Sequence, residues 1–66
     1  MLITVNGKQL AVEDGMTVQG LLALQKIEPA AVAVEINLDI VAREDFAGRC
    51  LAPGDAVEVL RFVGGG

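Results

Sequence analysis

Among the 66 residues there is no histidine and only one cysteine, Cys50, so neither a zinc site of Cys and His ligands nor an internal disulfide can cross-link this chain. A chain so short buries only about 60% of the surface it exposes when unfolded, and small domains commonly rely on such cross-links. Here packing has to do the whole task. The means are present: 53% of the residues are hydrophobic, most of them Val, Ile, Leu and Ala, with no Trp or Tyr. The length allows one domain.

The same shortage bounds the chemistry. Without His, neither a Ser/His nor a Cys/His nucleophile pair can be built. Catalysis by carboxylates alone would need a cleft of a few hundred Å³, which so small a chain can hardly enclose. We therefore expect no catalytic residues, no metal and no bound cofactor. A net charge of -4 repels a phosphate backbone, so nucleic acid is not an expected partner. The longest apolar run, from Ala30 to Val34, is far below the ~18 residues of a membrane span. The opening Met-Leu-Ile-Thr-Val-Asn lacks the basic segment of a signal peptide. With a lone thiol suited to a reducing compartment, a cytoplasmic location is expected.

Periodicity organises the chain. Ile3 and Val5 precede Asn6-Gly7, and Leu10 and Val12 follow it, which predicts a β-hairpin with these four side chains on one face. Thr17 is placed to cap a helix carrying Val18, Leu21 and Leu22, which ends near Lys26 and cannot pass Pro29. Gly20 inside that helix costs about 1 kcal/mol relative to Ala, so burial has to hold it. A strand is predicted from Ala31 to Asn37, a shorter one from Ile40 to Ala42, and a single helical turn over Arg43 to Phe46 with Phe46 in the core. Pro53-Gly54-Asp55 predicts a turn before a last strand, Ala56 to Val63. This order gives an α+β domain, residues 1–63, with one helix packed on one face of a mixed sheet. A glycine tail, residues 64–66, follows.

The last strand holds an anomaly. If Val57 and Val59 face the helix, Leu60 and Phe62 point to the side that a one-helix domain leaves uncovered and begin a docking patch. The alternative is a bulge near Leu60 that returns one of them to the core. For Cys50, beside apolar Leu51, the expectation is an inert buried side chain. Arg43 reads as solvated surface, whereas Arg61, beside the tail, is a candidate partner contact.

Taken in order, Met1-x-Ile3-x-x-Asn6-Gly7, Thr17-Val18-x-x-Leu21-Leu22, Val34-x-Ile36-Asn37, Val41-x-Arg43-x-x-Phe46, Leu51-x-x-Gly54-Asp55 and the glycine end resemble one family. It is ThiS, the sulfur carriers of thiamine biosynthesis, within the ubiquitin-like β-grasp fold. Gly64, where many relatives carry a small residue such as alanine, and Gly20, where a polar helix former is common, depart from the pattern. The resemblance implies that the carboxylate of Gly66 is adenylated with ATP by a ThiF-like enzyme and converted to a thiocarboxylate. The sulfur then passes to a ThiG-like thiazole synthase, and the carrier itself is not an enzyme.

A physical reason for such a tail can be given independently. A carboxylate that is to become an acyl-adenylate has to enter another protein's enclosed nucleotide site. Three residues reach about 10 Å when extended, and without Cβ atoms Gly64, Gly65 and Gly66 can approach foreign backbone closely. Three alternatives share parts of this pattern: a molybdopterin-type sulfur carrier, a ubiquitin-like protein modifier, and a non-covalent adaptor that docks through the Leu60/Phe62 face with an inert tail. Only Lys8 and Lys26 are available for chain formation by a modifier.

Overall fold

Asn6 and Gly7 close the first hairpin. Strand β1 (Leu2–Val5) pairs antiparallel with β2 (Lys8–Ala11), and the two residues between them have φ of 50° and 82°, the doubly positive combination of a type I′ turn. Register sets Ile3 opposite Leu10 and sends both to the core side, with Leu2, Thr4, Gln9 and Ala11 on the other face. The computed structural model describes residues 1–62. The expected extension of the last strand to Val63 and the flexible tail Gly64–Gly66 lie outside the described residues.

Helix α1 (Val18–Leu24) starts as its sequence requires. The Thr17 Oγ1 accepts from the Gly20 N–H at 3.0 Å, while Val18 and Gln19 donate to the carbonyls of Arg49 and Phe46, each at 3.0 Å. The free N–H groups of the first turn are thereby satisfied by the loop that follows β4. A Cβ at Gly20 would stand 2.8 Å from the Met16 Sδ, so the flexible Met16 side chain would have to shift to admit one. The helix ends well before Pro29. Lys26 adopts φ of 58°, and the N–H groups of Lys26 and Ile27 return to the carbonyls of Ala23 and Leu22. That is the Schellman pattern, with lysine where glycine is the usual occupant. Pro29 instead opens a 3₁₀ turn, Pro29–Ala31.

Strand β3 (Val32–Ile36) runs through the two-residue turn Asn37-Leu38 into β4 (Asp39–Val41), and a 3₁₀ turn at Arg43–Asp45 carries Phe46 into the core. Strand β5 (Ala56–Arg61) then inserts between β1 and β3, giving the order β2-β1-β5-β3-β4. It is parallel to β1 and antiparallel to β3, the mixed sheet expected from the crossover through α1. The inner face, with Ile3, Val34, Ile36 and Val57 under Val18, Leu21 and Leu22, forms the buried core. Each of these side chains contributes roughly 1.5–3 kcal/mol when removed from water. No helix among the described residues is long and apolar enough to cross a membrane.

Candidate functional site

The strand that leads to the tail is β5, and three of its features bear on function. The first is its outer face. Pairing with β3 is unbroken from Val32 opposite Arg61 to Ile36 opposite Val57, so no bulge intervenes near Leu60. Leu60 and Phe62 are therefore on the side away from the helix, 50% and 59% exposed. Leu60 lies opposite Ala33, and the Phe62 N–H donates to the Ala31 carbonyl at 2.9 Å, so small side chains border both large ones.

Arg61 does not join them. Its register partner is the buried Val32, and it borders an open groove on the helix side together with Leu10, Leu24, Ile27 and Val59. The three expected docking residues thus divide between two faces, which alternation along a strand requires. Arg43 is exposed, with its Nη2 3.5 Å from the Ala30 carbonyl.

The second feature is a pair of like charges. Glu35 and Glu58 are direct cross-strand partners on the outer face, both half-buried, and Ile40, 78% exposed, is opposite Glu35 on the other side. Among the described residues the ion pairs comprise only the α-amino group of Met1 with Asp14, at 3.5 Å, so no cation answers either carboxylate. Like charges in this position destabilise a sheet by a few tenths of a kcal/mol up to about 1 kcal/mol.

The third feature is the way β5 is held. At its start, the Asn37 Oδ1 accepts from the Ala56 N–H at 3.0 Å and the Asn37 Nδ2 donates to Asp55 Oδ1 at 3.1 Å. Further along, the Asn6 Oδ1 accepts from the Val59 N–H at 2.7 Å and the Asn6 Nδ2 donates to the Val59 carbonyl at 3.3 Å. Both asparagines are the first residue of a two-residue turn with positive φ, a conformation that asparagine tolerates better than most residues. The sequence signals the first turn through Asn6-Gly7. It conceals the second, because Leu38 occupies the place that glycine favours.

Comparison with known proteins meets this geometry on equal terms. The sequence model of the ThiS family matches residues 2–66. This chain belongs to the ThiS family. It is 36% identical to the sulfur carrier protein ThiS of Bacillus subtilis strain 168, over 98% of this chain and the whole of that protein. The crystal structure of a thiamine biosynthesis protein, ThiS, from Geobacter metallireducens covers both chains completely, at 40% identity and a TM-score of 0.86. Two further relatives are thiazole synthases, from Paramagnetospirillum magneticum at 36% identity and from Magnetococcus marinus at 39%. This chain is matched over its whole length in each but spans only 20% of theirs. The five-stranded sheet with one helix is accordingly the ubiquitin-like β-grasp of ThiS.

One expectation is corrected within this ThiS framework. Cys50 is exposed, not buried. It sits in an isolated bridge opposite Thr17, and Leu51 takes the inward position at 5% exposure. Adjacent residues of an extended segment point to opposite sides, so burying Leu51 turns Cys50 outward. Asn6 and Asn37 stand out in the sequence only as turn and motif residues; their side-chain bonds to β5, like the Glu35/Glu58 pairing, were not legible, because they depend on which strands become neighbours.

Proposed function

We propose that this chain is a sulfur carrier serving thiazole formation in thiamine biosynthesis, and that the carboxyl group of Gly66 is the group it lends. The observation that carries this reading is the match to the ThiS family across essentially the whole chain, which includes Gly64, Gly65 and Gly66. In the reaction, a carboxylate oxygen of Gly66 attacks the α-phosphate of ATP in a ThiF-like enzyme and pyrophosphate leaves. The terminal sulfur of a donor-protein persulfide then displaces AMP to form an acyl disulfide, and a thiol attacks the donor-side sulfur, releasing the thiocarboxylate and forming a disulfide with the donor. Adenylation is needed because a carboxylate oxygen is a poor leaving group, whereas AMP is a good one. The carrier holds no cofactor of its own, the ATP belongs to the partner, and the chain acts as a co-substrate in the cytoplasm, not as an enzyme.

Thiazole synthase is the proposed acceptor, and the two relatives of that name, a fifth of whose length this chain matches, support it. Leu60 and Phe62 are proposed to dock the adenylating enzyme, since two adjacent exposed apolar side chains on the strand that leads to the tail form a natural contact. Arg61, on the opposite face, is proposed to contact the partner that wraps the helix side of β5. Incubation with ATP, a sulfur donor and the cognate adenylating enzyme should raise the intact mass by replacement of one oxygen with sulfur at Gly66. An unchanged mass with a demonstrably active enzyme would refute the carrier reading. Deleting Gly66 should abolish activity, whereas an adaptor with an inert tail would keep it.

A further inference from the structure

Asn6 does something that a turn residue need not do. In the parallel pairing of β1 with β5, Thr4 donates to the Asp55 carbonyl and Asn6 donates to the Val57 carbonyl, each at 2.9 Å. The next bond of this ladder would run from the Val59 N–H to the main-chain carbonyl of Asn6. Instead, the Val59 N–H donates to the side-chain Oδ1 of Asn6 at 2.7 Å, in a turn where Asn6 has positive φ. The Nδ2 adds a bond back to the Val59 carbonyl at 3.3 Å. The side chain thus continues β1 by one peptide unit, so that β5 is gripped on its β1 side as far as Val59. Among the described residues no further strand pairs with β5 on this side beyond Val59; Leu60 and Arg61 pair with β3, and the Phe62 N–H bonds to the Ala31 carbonyl.

We propose that Asn6 is a positioning residue for sulfur transfer. By clamping Val59 it fixes the end of β5 that is offered to the adenylating enzyme. This rests on the carrier reading above. Asn37 is a built-in control, because its side chain clamps the same strand through Ala56, at the end far from the tail. A contribution to stability alone predicts similar consequences for the two asparagines. A positioning role predicts different ones.

The test compares Asn6→Gly with Asn37→Gly, since glycine keeps the positive φ at either turn. Each variant is assayed where circular dichroism shows it folded, as the substrate of the cognate adenylating enzyme with ATP and a sulfur donor. Asn6→Gly should lower kcat for thiocarboxylate formation about tenfold, as a misplaced reacting group does, with KM changed by less than about twofold because the docking side chains Leu60 and Phe62 are retained. Asn37→Gly should change neither by more than about twofold. Equal losses in both variants, or a loss confined to KM, would overturn the proposal. Amide exchange gives a second reading that needs no partner enzyme: the Val59 N–H should exchange faster in Asn6→Gly and not in Asn37→Gly. Unaltered Val59 exchange would overturn the proposal by itself. If the parent chain gives no thiocarboxylate with an active enzyme, the carrier reading fails instead, and positioning for sulfur transfer falls with it.

Discussion

The turn between β3 and β4 is strained in a way that can be measured. Leu38 adopts φ of 73° at the second position of a two-residue turn, and its side chain is 85% exposed. A residue with a Cβ in this left-handed region carries a cost of roughly 1 kcal/mol that glycine avoids. Replacing Leu38 with Gly removes that cost and forfeits almost no burial, and the greater freedom of glycine in the unfolded chain returns part of the gain. The net expectation is a stabilisation of about 0.5–1 kcal/mol. For a chain of this length about 1 kcal/mol corresponds to roughly 7 °C, so Leu38→Gly should raise Tm by about 4–7 °C. The first hairpin supplies the reciprocal experiment. Gly7, with φ of 82°, has nothing within 4 Å of where a Cβ would stand, so Gly7→Leu isolates the backbone cost and should lower Tm by a similar amount. Calorimetry and urea melts would both report it, with the slope in urea unchanged. A Tm for Leu38→Gly at or below that of the parent would refute the reasoning and show that the exposed leucine holds the turn by a contact of its own.

Other consequences can be checked directly. Lys26→Gly should stabilise by about 0.5–1 kcal/mol, because lysine occupies the left-handed position at the end of α1, and a thermal melt would show it. Leu22→Ala, at a fully buried site, should cost about 2–5 kcal/mol and leave the chain largely unfolded at 37 °C by circular dichroism. Phe62→Asp should weaken binding to the adenylating enzyme in titration calorimetry while moving Tm by less than about 4 °C, since surface substitutions seldom exceed 0.5 kcal/mol. Cys50 should react stoichiometrically with a thiol reagent in the native protein, and a thiol that becomes reactive only on unfolding would contradict its exposed placement.

Local order was legible in the sequence wherever a single strand or helix determines it. Alternation gave β1, β2, β3 and β5 to within a residue or two, and Thr17 marked the start of α1. The same parity already placed Arg61 on the face opposite Leu60 and Phe62, although all three invite assignment to one patch. The helix end was harder: Pro29 states where a helix cannot be, while the turn at Lys26 depends on carbonyls freed three and five residues earlier. The outward turn of Cys50 follows from Leu51 winning the core position, a competition that their adjacency in sequence does not decide. Least legible were contacts between distant segments. Nothing local brings Glu35 to Glu58, or Asn6 to Val59, fifty-three residues away. Of the candidate site, the apolar pair Leu60 and Phe62 at the end of β5 could be read from its pattern, whereas the side-chain clamps that hold the strand could not.

The place of β5 in the sheet has a consequence for assembly. The strand at the centre is the last strand in chain order among the described residues, and it joins β1 to β3, which otherwise do not touch in the sheet. During synthesis the β1–β2 and β3–β4 hairpins can each close early, but they remain two separate pieces until the final strand threads between them. Folding of this kind depends on non-local pairing and is correspondingly slow. It also makes the sheet all-or-none: a chain cut short before Ala56 leaves two separate hairpins with no strand to join them.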